Sequence, residues 1–96
     1  MLLSTFGPPT YDVTEAYAFP NPFVVESPDD RLNFNFSGNA RLRVFTVAGE
    51  LVADLPEPVW DGRNASGEPV ASGVYLYILT DELGNNGRGK FLLVRQ

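Results

Sequence analysis

Apolar side chains fall at every second position in Leu32, Phe34 and Phe36, with Arg31, Asn33, Asn35 and Ser37 between them. That period of two is what a strand with one buried face requires. Leu42 and Val44 repeat it within residues 41–47, and Ala48-Gly49-Glu50 predicts a tight hairpin turn into a strand over 51–55. In Val74-Tyr75-Leu76-Tyr77-Ile78-Leu79-Thr80 both alternating sets are apolar, so a central strand with one face in the core and the other covered or aromatic is expected. Gly84-Asn85-Asn86-Gly87 supplies residues that tolerate positive φ for a further hairpin, and 90–95 forms the last strand. No window carries the i, i+3, i+4 spacing of an amphipathic helix. Six to seven short strands with frequent turns predict an all-β chain folded as an antiparallel β-sandwich.

The breaks in this pattern organise the chain. Gly7-Pro8-Pro9 excludes a helix or a central strand, so residues 1–16 are expected as an extended arm or linker and 17–96 as the sandwich. Pro20-Asn21-Pro22 fixes φ twice and removes two backbone donors, which ends a short edge strand with a kink. Ser27-Pro28-Asp29-Asp30 predicts a turn. Residues 60–77, WDGRNASGEPVASGVYLY, set a tryptophan before a polar loop with Gly62, Gly67 and Gly73, followed by the strand of Tyr75 and Tyr77. Such a segment crosses one end of a sandwich and drops into its core.

Composition narrows the chemistry. The 96 residues suffice for one domain, and Gly and Pro, nine and eight, favour turns over helices. Twelve acidic against seven basic residues give a net charge of −5, which repels phosphate backbones and argues against nucleic acid as a partner. Cysteine and histidine are both absent, so disulfides, thiolate zinc sites and Cys or His catalysis drop out. Met1-Leu2-Leu3 is neither a signal peptide nor a membrane span, and an export signal is expected outside this sequence.

Asp29-Asp30 and Asp81-Glu82 are adjacent carboxylates beside turn residues, and solvated turn positions explain them better than an acid–base pair across a cleft. Asp61-Gly62-Arg63-Asn64 and residues 81–86 offer oxygen ligands without the spacing of a calcium loop; Asp61 is expected to bond nearby backbone N–H groups instead. Ser4, Thr5, Ser66 and Ser72 have no histidine to activate them. Asn35-Phe36-Ser37 and Asn64-Ala65-Ser66 match a glycan acceptor pattern that matters only in a glycosylating pathway. No enzyme activity, catalytic residue, cofactor or metal is therefore expected. Tyr75 and Tyr77 share a strand face and could present two rings to a sugar, which makes a carbohydrate-binding module one alternative.

Five motifs in order carry a family likeness: Pro20-Asn21-Pro22-Phe23, Phe45-Thr46-Val47-Ala48-Gly49-Glu50-Leu51-Val52, Trp60-Asp61-Gly62-Arg63-Asn64, Val70-Ala71-Ser72-Gly73-Val74-Tyr75 and Gly89-Lys90-Phe91. Over residues 17–96 the chain resembles the immunoglobulin-like C-terminal module of the flagellar hook-capping, FlgD-type, proteins and of the type IX secretion C-terminal sorting domains. The likeness implies a non-catalytic sorting or anchoring module of a secreted or cell-surface bacterial protein, with secretion machinery or neighbouring domains as partners. It implies that Gly73, Tyr75 and Lys90 belong to the region which that machinery recognises, and that the module is cleaved off in the arm before Ala18, where residues 10–15 are polar. Lys90 equally suits a gatekeeper on an edge strand. Pro20, Asn21 and Pro22 would swing the chain between sheets, Gly49 permit the hairpin, Trp60 plug the sandwich end beside Asp61 and Gly62, and Gly73 launch the next strand. Only Pro56-Glu57-Pro58-Val59 separates Leu55 from Trp60, where the family often has another strand, so an open sheet edge is expected. Through that edge the arm could add to a second copy, which makes a self-associating structural assembly subunit the other alternative.

Overall fold

In the computed structural model, which describes residues 9–96, alternation of side chains resolves into two packed sheets. The strands are β1 (Ala18–Phe19), β2 (Phe23–Val25), β3 (Leu32–Phe34), β4 (Ala40–Thr46), β5 (Leu51–Leu55), β6 (Val59–Trp60), β7 (Gly73–Asp81) and β8 (Asn86–Arg95). One sheet has the order β1-β3-β6 and the other β2-β8-β7-β4-β5. The expected all-β sandwich is therefore present, with eight strands because β1 and β6 are two-residue elements too short to stand out in a hydropathy pattern. One pairing departs from antiparallel: β2 runs parallel to β8, with Phe23 opposite Leu93.

Each sheet turns one set of side chains inward. Leu42 and Val44 of β4, Tyr75, Tyr77 and Leu79 of β7, and Phe91 and Leu93 of β8 are buried against Leu32 and Phe34 of β3. Trp60 lies at the centre of this layer, its ring centroid 5.6 Å from Phe91, 5.9 Å from Tyr75 and 6.4 Å from Phe23. Edge-on and tilted ring pairs of this kind add about 0.5–1.5 kcal/mol each beyond the area they bury. Trp60, 1% exposed, is thus packed among aromatic rings inside the sandwich.

The hairpins form where glycine permits them. Gly49 takes φ +90° between β4 and β5, and the Thr46 N–H donates to Glu50 O at 2.9 Å. The β7–β8 turn closes earlier than the glycine and asparagine run suggested. The Asp81 N–H donates to Asn85 O at 3.0 Å, Gly84 takes φ +87°, and Asn86 already belongs to β8.

The N-terminal segment corrects the expectation of an arm as far as the described residues reach. The Gly7-Pro8 stretch lies outside them. From Thr10 onward the chain is built into the sandwich: the Thr10 N–H donates to Asn35 O at 2.7 Å, and the Ser37 N–H donates to Thr10 O at 2.6 Å. A 3-10 turn, Val13–Glu15, follows, capped by the Asp12 carboxylate, which accepts from the Thr14 N–H at 3.0 Å. Residues 10–15 are polar on their outer side, but Val13 is only 1% exposed. The sequence hid this anchor, since Val13 by itself carries no period and the nearby Tyr11 is exposed. The turn rests on β8 at Gly87, where an added Cβ would collide with the Val13 carbonyl.

Candidate functional site

The ten residues singled out by sequence separate into two groups. Eight of them frame the C-terminal half of β8, and Gly49 and Lys90 line a groove on the opposite, outward face of the same sheet.

The first group starts at Pro20-Asn21-Pro22, which carries the chain from β1 in one sheet to β2 in the other, the crossing expected of it. Both peptide bonds preceding these prolines are cis. Asn21 Oδ1 accepts from the Leu92 N–H at 3.0 Å, so its amide extends the β2–β8 ladder by one rung where prolines supply no donor. Trp60 donates from Nε1 to Arg63 O at 2.8 Å, which satisfies its one polar atom inside the core. Asp61 Oδ1 accepts from the Arg63 N–H at 3.0 Å, closing the turn by the local bond expected of it. Gly62 takes φ +79°, and its carbonyl accepts from Arg95 Nη2 at 2.8 Å.

Gly73 opens β7 opposite Leu93. Tyr75, two residues on, points inward and donates its hydroxyl to Ala71 O at 2.6 Å. Tyr75 and Tyr77 are 8% and 4% exposed, so the paired-ring sugar platform is not formed. They are stacked on Phe91, with centroid distances of 6.0 and 6.5 Å, and the alternation that placed them on one face placed that face in the core. Burial raises the Tyr77 phenol above its ordinary pKa. Its hydroxyl donates to Ala16 O at 3.3 Å, tying the N-terminal segment to the core.

Arg95 is the residue that motif reasoning missed. Its Nε donates to Val70 O and its Nη2 to Gly62 O, both at 2.8 Å, while its N–H donates to Ser72 Oγ at 2.8 Å. One side chain thereby staples both ends of the 62–72 loop to the last strand. The signal was present in the alternation: Phe91, Leu93 and Arg95 share one parity, and a cation on the inward parity of a strand needs partners.

The same loop also runs along β5. The Ala65 N–H donates to Val52 O at 3.1 Å, and Asp61, Arg63, Asn64 and Gly67 wall a cleft against that strand. The edge expected to lie open after the short Pro-rich link is therefore covered in part by the loop that follows the link. The link itself is short because β6 pairs with β3 in the other sheet, through Leu32 opposite Trp60.

The carboxylates act within turns. Asp30 accepts from the Glu26 and Ser27 N–H groups, which hold it below the ordinary carboxylate range. Asp12 is lowered by its side-chain and backbone hydrogen bonds from Thr14. For Asp81, burial that pushes the pKa up is outweighed by hydrogen bonds from Asn85, Leu83 and Gly84. Asp54 is lowered first by its hydrogen bonds from Arg41, a bidentate pair at 2.6 Å on both arms. Among the described residues no three carboxylates gather in a way that would hold a metal ion. No helix among them is long and apolar enough to cross a membrane.

Of the two glycan acceptor patterns, Asn35 is buried, its Oδ1 accepting from the Tyr17 N–H at 2.7 Å. Asn64 Oδ1 is engaged by the Ser66 and Glu68 N–H groups.

Lys90 stands apart. It is opposite Leu76 on the outward parity of β8, along a stretch that β2 does not reach, since β2 pairs only from Leu93 onward. An exposed cation on such a stretch discourages strand addition, and its place in the groove leaves it available to a partner.

No family model matches this sequence, and no curated protein does. Solved structures share the fold. A portion of PorZ of Porphyromonas gingivalis, described as an essential bacterial surface component of the type-IX secretion system, is similar with a TM-score of 0.61 at 25% identity. A portion of dimeric latent PorU from the same organism superposes with a TM-score of 0.56 at 24% identity. Both similarities cover 84% of this chain, but only 12% of the PorZ chain and 9% of the PorU chain. The sandwich built around Trp60 and β8 is thus similar to a small part of a type IX secretion component.

Proposed function

We propose that this chain is a non-catalytic sorting or anchoring module of a secreted or cell-surface bacterial protein, recognised by type IX secretion machinery. The observation that carries the reading is the likeness to part of PorZ, over 84% of this chain at 25% identity. The motif order supports it, because the residues named from the family likeness occupy coherent positions. Trp60, Tyr75 and Gly73 set the core and the start of β7, while Lys90 is left on the surface. The non-catalytic reading is supported by Asp30, Asp61 and Asp81, which accept turn N–H groups, by Asp54, which pairs with Arg41, and by the Tyr75 and Tyr77 hydroxyls, which donate to carbonyls of the fold.

For the cleavage that the resemblance implies before Ala18, the backbone bonds at Thr10 and the 3-10 turn seated on β8 would first have to open, because backbone held in hydrogen bonds resists a protease.

The test is export of a periplasmic reporter fused ahead of this chain in a bacterium that has the type IX system. The reporter is expected outside the cell. Retention in the periplasm, while an established sorting tail exports the same reporter, overturns the reading.

A further inference from the structure

Antiparallel sheets with one face on the core ordinarily turn polar side chains to water on the other. The five-stranded sheet does so only at one end. Its outward rows, read across β4, β7 and β8, are the polar Arg41–Thr80–Asn86, then Arg43–Ile78–Arg88 and Phe45–Leu76–Lys90, followed by Val74 beside Leu92. Val74 is 45% and Leu92 40% exposed. Phe45, Leu76, Ile78, Arg88 and Lys90 line a groove of about 590 Å³ on this face. An apolar floor with cations along its side is the anatomy of a docking surface rather than of a solvated sheet.

The charge on this face identifies what it fits. The chain carries −5 overall, yet four of its seven basic residues, Arg41, Arg43, Arg88 and Lys90, project here. Of its twelve acidic residues only Asp54 and Asp81 lie in strands of this sheet. Asp81 is opposite the buried Ala40 and belongs to the inward set. Asp54 is taken by Arg41 in the one ion pair among the described residues. Among the described residues Arg88 and Lys90 make no ion pair; Arg43 stands opposite Asp54 and adds to the lowering of its pKa, but the buried Nε of Arg43 has no hydrogen-bond acceptor there. Arg88 and Lys90, both exposed, stand in the lining of the groove, where a carboxylate laid beside Ile78 would meet them.

We propose that the outward face of β4, β7 and β8 is a docking surface for an acidic segment of a partner protein. An apolar side chain of that segment would seat between Phe45, Leu76 and Ile78, and flanking carboxylates would meet Arg43, Arg88 and Lys90. The proposal rests on the recognition role given above and names the surface and the chemistry through which it acts. Lys90 then serves the partner directly, whereas Tyr75 and Trp60 act only by holding the sheet.

The experiment uses the intact chain, labelled with ¹⁵N, and a synthetic peptide alternating Glu and Leu around one central Phe. A matched peptide with Lys for every Glu is the control. Shift changes confined to Phe45, Leu76, Ile78, Arg88 and Lys90 are expected with the acidic peptide and not with the basic one. Binding should weaken on raising salt and fall about tenfold in the Arg88→Glu/Lys90→Glu variant. A Leu76→Thr variant, which keeps a strand-favouring residue, should weaken it without changing its salt dependence. Equal binding of both peptides, or no shift on this face, overturns the proposal. So does a wild-type dimer in sedimentation that the double variant dissolves, since the face would then belong to a second copy.

The reporter assay separates the two readings. Export by the wild type and equally by a folded Arg88→Glu/Lys90→Glu variant overturns the docking surface and leaves the sorting role intact. Failure of wild-type export overturns the sorting role while the peptide measurement still decides the surface.

Discussion

Replacing Gly87 by alanine should cost this domain about 2 kcal/mol, although alanine is otherwise well tolerated in place of an exposed or strand glycine. At Gly87 the new Cβ would collide with the Val13 carbonyl oxygen and sit 2.8 Å from the Val13 carbonyl carbon, both backbone atoms that no rotamer change can move. Two responses are open. If the 3-10 turn stays seated, the strain of overpacking costs about 1–3 kcal/mol. If it detaches, the domain loses the burial of Val13, about 1.5–2 kcal/mol, and the Tyr77–Ala16 hydrogen bond, about 1 kcal/mol, less the chain entropy regained. Both routes meet near 2 kcal/mol. Urea denaturation followed by Trp60 fluorescence measures the total, and a cycle with Val13→Ala decides the route. Detachment makes the Val13→Ala penalty vanish in the Gly87→Ala background, a coupling that additive sites would not show. An unchanged urea midpoint for Gly87→Ala, with the Val13→Ala penalty fully retained beside it, refutes the reasoning.

Arg95→Met keeps the aliphatic stem but strands the Val70 and Gly62 carbonyls; a loss of about 2 kcal/mol in urea denaturation is expected, with faster amide exchange over residues 62–72. Asn21→Ala removes the acceptor for the Leu92 N–H and should cost about 1 kcal/mol, visible as loss of exchange protection at that one amide. Acid should destabilise the domain through Asp54, Asp12 and Asp30, whose folded pKa values lie below their unfolded ones. Their contribution is complete above the unfolded carboxylate pKa of about 3.9 and is lost as pH falls through the lower folded values. Asp54→Asn should flatten that acid limb in a pH series of thermal melts, and an unchanged limb would remove Asp54 from the account.

The sandwich was legible because its long strands alternate. β4 and β7 contain enough buried positions for the period to show in one dimension. What escaped depends on contacts between distant residues. The seating of Val13 needs a glycine 74 positions later, and nothing local marks Gly87 as anything but a hairpin residue. Gly89 is similar: its missing side chain leaves room for the Tyr77 ring, whose Oη would lie 2.6 Å from an added Cβ. The cover over β5 comes from a loop with no apolar period. The docking face was half visible, since Val74, Leu76 and Ile78 were seen as a second apolar set, but its cations come from β4 and β8 and meet only once the sheet is registered.

The place of β8 in the sheet also bears on when the domain acquires its shape. β7 pairs with it at eight positions and β2 at three, and Arg95 fastens the loop that follows Trp60. Until β8 is in place, β2 has no neighbour, Trp60 lacks Phe91, and the 3-10 turn has no floor. The pairings of β4 with β5 and β7 do not need it. β8 therefore completes the domain around a sheet already half formed, and ordering of the Trp60 ring cluster has to wait for it.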